Sequence, residues 1–144
     1  MIEGYFRSGR PYIDISVSMP NLGMVEMDIS FAVDTGADRT LIGNRDALLL
    51  SASHGIDLSR LPTGRRSLGI GGLTSTRQTR VSMSIGSLHV DRDIPIFEPI
   101  PGRIVGLPSL LGLDILSHFA LYMEERTNRV LLLERHEADS LQVA

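Results

Sequence analysis

Phe31-Ala32-Val33-Asp34-Thr35-Gly36-Ala37-Asp38-Arg39-Thr40-Leu41-Ile42 is the stretch whose reading decides the fold. Upstream of it, Val25, Met27, Ile29, Phe31 and Val33 alternate with mostly polar residues, the period-two pattern of a half-buried strand. That strand runs into one carboxylate, followed at once by a small hydroxyl residue and a glycine. The arrangement puts Asp34 at the end of a rigid element, on a turn that glycine makes easily.

Working outward, Ile13, Ile15, Val17 and Met19 alternate with Asp14, Ser16 and Ser18, and Pro20-Asn21-Leu22-Gly23 reads as a turn. Two strands about a short turn make a hairpin, the second strand delivering Asp34. Asn44 suits a helix N-cap, Asp46 its first turn and Gly55 its end. Residues 58–63 read as a connection. Residues 66–70 and 73–85 read as strands about Gly71-Gly72, and residues 88–97 as a strand returning after Gly86-Ser87. Pro95 marks that last strand as an edge or as ending there. Leu110-Leu111-Gly112-Leu113-Asp114-Ile115-Leu116 opens a short helix ending near Phe119. Residues 121–123 and 130–133 are short strands about a turn at Arg126-Thr127-Asn128. The chain is expected to be mainly β, one domain over residues 1–144 with a core of about 12–133, and residues 1–10 and 135–144 loose.

Composition narrows the chemistry. Of 144 residues, 42% are hydrophobic and 22% charged, which favours a packed core over disorder. A net charge of -3 argues against a general nucleic-acid or anionic-membrane binder. No apolar run approaches a membrane span, and residues 1–7 lack the apolar stretch of a signal peptide. A soluble cytoplasmic domain is the expectation, whether free or part of a longer precursor. Cysteine is absent, which removes disulfides, thiol nucleophiles and cysteine-ligated metals. Lysine is absent too: all 14 basic residues are arginine, which excludes Schiff-base chemistry and lysine-dependent phosphate loops. His54, His89, His118 and His136 have no metal-motif spacing, so neither a metal nor an organic cofactor is expected.

A carboxylate at a strand end can be a nucleophile, a metal ligand, a general base or a structural cap. The phosphoryl-transfer reading lacks its lysine and its second acidic loop; Asp91 and Asp93 flank Arg92 on one strand face and read as solvated. The general-base reading is stronger but has a gap. Hydrolysing an amide with carboxyl groups alone takes two of them, one ionised and one protonated. A symmetric dimer would supply the second, and the two carboxyls would then share one proton.

Ala32-Val33-Asp34-Thr35-Gly36-Ala37-Asp38 with Thr40-Leu41-Ile42 resembles the catalytic loop of the retroviral-type (retropepsin-like) aspartic proteases. Gly69-Ile70-Gly71-Gly72 resembles that family's glycine-rich flap, and Leu110-Leu111-Gly112-Leu113-Asp114 its downstream apolar-apolar-glycine motif, in the same order. Leu113, where viral members tend to carry arginine, brings the chain closer to the cellular and bacterial single-domain members. The resemblance implies a closed, barrel-like sheet with a flap hairpin and one or two short helices, forming half of a two-fold symmetric dimer. It implies an aspartic endopeptidase acting on extended peptide or protein substrates. Asp34 would be the catalytic acid and base, Thr35 would bond the opposing loop, and Gly36 would let substrate pass close. Ala37 and Asp38 would meet the substrate main chain; Ile70, Gly71, Gly72 and Leu73 would form the flap tip and its pocket. With Leu113 in place of arginine, Asp38 is expected to pair with Arg39 or another arginine. The dimer is expected to form through the C-terminal strand, residues 130–133, and the Asp34 loop.

Two other readings stay open: a peptide-binding module of the same fold, and an assembly domain whose only turnover is self-cleavage. A charge feature adds one more expectation. Arg60, Arg65, Arg66, Arg77 and Arg80 lie between Asp57 and Asp91 with no acidic residue among them, which would suit substrates with acidic residues flanking the cleaved bond.

Overall fold

A computed structural model describes residues 1–64, 67–69, 72–74, 76–99 and 106–141. The strands are β1 (Ile2–Arg7), β2 (Arg10–Met19), β3 (Val25–Val33), β4 (Ser67–Gly69), β5 (Gly72–Thr74), β6 (Thr76–Ile85), β7 (Leu88–Phe97), β8 (Leu110–Leu111), β9 (Ala120–Glu124) and β10 (Arg129–Leu133). The helices are α1 (Asn44–His54), α2 (Leu113–Leu116) and α3 (Arg135–Asp139), with 3-10 turns at Pro20–Leu22 and Leu58–Arg60.

Alternation drives the first hairpin as the sequence predicts. Ile13, Ile15, Val17 and Met19 on β2 and Ile29, Phe31 and Val33 on β3 turn into one core, joined by Ile42, Leu50, Val81, Ile96, Leu111, Ile115 and Leu132. The strands pair from Tyr12↔Ala32 to Met19↔Val25. The far edge of β2 is divided between β1 and β6, so the sheet runs β7-β6-β2-β1-β10-β9, with β3 and β8 off that path. The ends β7 and β9 do not pair, so the sheet is not the closed barrel expected.

Residues 1–10 are not loose. β1 pairs with β10 over Ile2–Gly4 and with β2 over Tyr5–Arg7. At the changeover the Cβ of any other residue at position 4 would lie 2.2 Å from the Tyr12 carbonyl oxygen, so only glycine fits. The strand escapes local pattern reading because its partner lies at the other end of the chain. Asn128 Oδ1 also accepts from the Phe6 N–H at 2.6 Å.

Residues 135–139 are helical rather than loose, because Glu134 and Glu137 form a reciprocal capping box. β10 lies between β1 and β9, with both of its edges occupied. It therefore has no free edge with which to meet a second chain, contrary to the interface expected of residues 130–133. α1 begins one residue earlier than read: Gly43 is the N-cap, Asn44 sits inside, and Gly55 closes the helix at φ +67°. Pro95 does lie on an edge strand. No helix among the described residues is long and apolar enough to cross a membrane.

Candidate active site

β3 ends at Val33, and Asp34 follows on a turn. The Asp34 carboxylate accepts from the Gly36 N–H at 2.9 Å, and its carbonyl accepts from the Ala37 N–H at 3.2 Å. A Cβ at Gly36 would come within 3.2 Å of that same carboxylate oxygen, so glycine suits the close approach. Asp34 is half-buried, while Thr35, Gly36, Asp38 and Arg39 are exposed. The loop thus stands at the surface of the isolated chain with its carboxylate fixed by backbone.

Leu110 and Leu111 brace it. β8 pairs in parallel with the end of β3, Ala32↔Leu110 and Val33↔Leu111, and the Asp34 N–H donates to the Leu111 carbonyl at 3.1 Å. Leu110 also exchanges two 3.0 Å backbone bonds with Leu41, so one short strand ties the limb entering the loop to the limb leaving it. Leu110–Leu111 is therefore a strand, not the start of the helix that the sequence suggested.

Gly112 then runs against the loop. A Cβ there would lie 2.6 Å from the Arg39 carbonyl carbon and 2.9 Å from the Ala37 oxygen. The Leu113 N–H donates to Ala37 O at 2.8 Å and the Asp114 N–H to Asp38 O at 3.1 Å. Asp114 sits in the first turn of α2. Its carboxylate does more than that: it accepts from Thr40 N at 3.0 Å and Thr40 Oγ1 at 2.8 Å, and Arg92 approaches its other oxygen at 3.5 Å. Thr40 Oγ1 in turn accepts from the Gly112 N–H at 3.0 Å.

A second bracket was not foreseen from sequence. Ser109, wholly buried, donates its hydroxyl to Asp46 at 2.6 Å, accepts from Gly43 N at 3.0 Å, and offers its carbonyl to Ala32 N at 2.8 Å. Arg45 completes it, reaching Asp46 and the Ser30 carbonyl at 2.8 Å each. The available signal was a serine directly before the apolar pair and an aspartate in the first turn of α1.

The other predicted residues fall as follows. Ala37 is half-buried and lends its carbonyl to Leu113; Asp38 forms no ion pair among the described residues, so the expected pairing with Arg39 is not seen. β4 and β5 make the predicted hairpin, but Gly72 is a strand residue paired with Gly69 rather than part of the turn, and Leu73 pairs with Leu68. Ile70 and Gly71 lie outside the described residues. The hairpin is anchored by Gly64 N to Thr76 O at 2.8 Å and Gln78 N to Pro62 O at 2.9 Å. Arg77 is engaged by Glu98 at 2.8 Å, Arg80 by Asp91 at 2.9 Å and Arg60 by Asp57 at 3.6 Å. Those three arginines are neutralised within the chain, which weakens the case for acidic substrates; Arg65 and Arg66 lie outside the described residues.

Far from this loop in sequence, Glu134, His136 and Glu137 bring possible ligand atoms within 4.8 Å of one another. Their carboxylates are already engaged. Glu134 accepts from the Ser87 N–H at 2.7 Å and from its hydroxyl. Glu137 accepts from Glu134 N at 3.0 Å and meets the Met1 amine at 2.8 Å. The Ser87 bonds hold Glu134 below the usual carboxylate range, and the Met1 amine does the same for Glu137. The cluster joins the β6–β7 turn, the first residue and α3.

A family model described as aspartyl protease matches residues 23–115, which contain the Asp34 loop, the hairpin and the Leu110–Asp114 segment. Among solved structures, the chain is similar to a retropepsin-like aspartic protease from Rickettsia conorii, at 22% identity and a TM-score of 0.58 over 92% of this chain and 97% of that one. It is also similar to the EIAV protease complexed with the inhibitor HBY-793, at 21% identity and a TM-score of 0.51 over 78% of this chain and 90% of that one. No curated protein matches the chain.

Proposed function

Because the chain belongs to the aspartyl protease family, we propose that it is an aspartic endopeptidase that cleaves extended polypeptides with a water held between two copies of Asp34. The observation that carries this reading is the Asp34 carboxylate, fixed by Gly36 and braced through Leu111, yet presented on an exposed turn. One chain supplies one such carboxylate; a second copy related by a two-fold axis supplies the other.

The chemistry then needs no metal or organic cofactor. The two carboxyls share one proton because like charges so close do not both ionise. The ionised Asp34 takes a proton from the water as the water oxygen attacks the peptide carbonyl carbon. The protonated Asp34 gives its proton to the carbonyl oxygen. Proton transfer to the amide nitrogen then breaks the C–N bond and releases the amine, returning the pair to its starting state. Backbone bonds that hold the carboxylate before substrate arrives keep this geometry from depending on side-chain freedom.

Substrate would lie as an added strand between the loop floor at Ala37 and Asp38 and the hairpin residues Ile70, Gly71, Gly72 and Leu73. Thr35, exposed beside Asp34, would bond the opposing loop of the second copy. Closure of the hairpin would exclude bulk water. A shared proton skews activity to acidic or mildly acidic pH.

The test is Asp34→Asn against a generic peptide library over a pH series. The variant should fold as the parent does and show no cleavage. Cleavage retained by a clean preparation of the variant would overturn the assignment.

A further inference from the structure

β3 gives its inner face to the core but leaves one edge open over its first half. Val25, Met27 and Ile29 turn inward, so Glu26, Asp28 and Ser30 stand on the outer face. In an antiparallel pair the N–H and C=O of one residue point to the same side. The Ala32 N–H turns away from β2 to the Ser109 carbonyl, and the Ser30 carbonyl is taken by Arg45. Glu26 and Asp28 share that parity. They turn their N–H and C=O groups to the same edge, where no strand meets them among the described residues.

The outer face beside this edge is a trough of about 550 Å³. β2 and β6 floor it with the short side chains of Ser16, Ser18, Ser82 and Ser84, and β3 walls it with Glu26 and Asp28. Register sets Ser18 beside Glu26 and Ser16 beside Asp28, with a bond from the Ser16 hydroxyl to the Asp28 carboxylate. Among the described residues no arginine lines the trough, and neither Glu26 nor Asp28 enters an ion pair. Arg80, two positions before Ser82, is held by Asp91 at 2.9 Å and Asp93 at 3.9 Å.

We infer that the free edge of β3 takes up a basic, extended segment of a partner protein as an added strand, with arginine or lysine at every second position facing Glu26 and Asp28. Main-chain bonds to those two residues supply affinity, and opposed charges across the new pair supply choice of partner. An acidic edge keeps two copies of itself apart. The same charge admits a cationic strand and rejects an acidic one. Arg45, seated on Ser30, closes the edge at that end, so the added strand covers residues 25–29. The surface is separate from the cleft: Asp28 precedes Asp34 by six positions, about 20 Å of extended strand.

The test uses the Asp34→Asn chain, so that no probe is cleaved. Fluorescein-labelled peptides alternate valine with arginine or, as the counterpart, valine with glutamate, and binding is read by anisotropy. The arginine peptide should bind, more weakly as salt is raised, and the glutamate peptide should not. Glu26→Gln with Asp28→Asn should weaken the arginine peptide by about tenfold or more, through the loss of two charge pairs. Glu26→Arg with Asp28→Arg should exchange the preference for the glutamate peptide. An arginine peptide methylated on its backbone nitrogens keeps the charge but loses the main-chain donors, and should also bind about tenfold more weakly. Equal binding of the arginine and glutamate peptides, or arginine-peptide affinity untouched by Glu26→Gln with Asp28→Asn, would overturn the site. A methylated peptide bound as tightly as the unmethylated one would overturn the added strand.

Discussion

Asp114 accepts two hydrogen bonds from Thr40, one from its N–H at 3.0 Å and one from its hydroxyl at 2.8 Å. The same hydroxyl accepts from Gly112 N, so a single buried threonine joins the outgoing limb of the Asp34 loop to the start of α2. Thr40→Val keeps the shape but removes the hydroxyl from both partners. A buried donor left without its partner costs about 1–3 kcal/mol. Urea unfolding should report a loss of that size, and cleavage should fall further than the folded fraction does, because the loop loses its tie. A valine variant as stable and active as the parent would show the bracket to be idle.

Gly112→Ala tests the packing of the apolar-glycine motif against the loop. The added methyl would meet Arg39 and Ala37 backbone at 2.6–2.9 Å, where no flexible side chain can yield. Overpacking of this kind costs about 1–3 kcal/mol, and here the backbone that must move is the catalytic loop itself. The expected result is a folded, less stable protein with cleavage reduced by more than tenfold, read by thermal melting and peptide turnover. Unaltered turnover would mean that Gly112 is not needed to position Asp34.

Asp46→Ala should be more costly to the fold than to the chemistry. It removes the acceptor of the buried Ser109 hydroxyl and the ion-pair partner of Arg45, which keeps its bond to the Ser30 carbonyl. Leaving the buried hydroxyl without its acceptor costs about 1–3 kcal/mol. Denaturant titration of Asp46→Ala should show that loss, and a change below about 1 kcal/mol would contradict the role given to the bracket.

The stability of the protein should fall on acidification in part through Glu134. Ser87 holds its folded-state value below the usual range. A carboxylate lowered on folding contributes stability in full above its unfolded value, about 4.3, and loses it as pH falls through the folded value. Melting temperature should therefore drop below about pH 4.3, and Glu134→Gln should flatten part of that drop. Parallel curves for the two proteins would exclude Glu134 from the acid response. The result also bounds the acidic range in which cleavage can be followed.

The strands that carry their own alternation were readable from sequence: β3 and β7 coincide with their predicted spans, and β2 with most of its own. The strand that was missed, β1, interrupts its pattern with Gly4 and finds β10 far along the chain, a pairing that no local window contains. The same pairing removed β10 from the list of available edges. At the site, Asp34 and Gly36 stood out as a carboxylate and a turn glycine at a strand end, and Gly112 through the resemblance of its motif. Ser109, Asp46 and the second role of Asp114 did not, because a buried hydrogen bond leaves no periodic mark. Ile70 and Gly71, expected at the hairpin tip, lie outside the described residues.

The central claim is that one chain holds half of a catalytic site, and mixing measures this most directly. Parent protein is combined with Asp34→Asn at constant total concentration, high enough for dimers to form and exchange, and peptide cleavage is followed. If two copies of Asp34 act together, activity falls with the square of the parent fraction, so parent at one-tenth of the mixture retains about one-hundredth of full activity. Activity that falls only in proportion, to about one-tenth, would mean that each chain cleaves alone and would contradict the shared site.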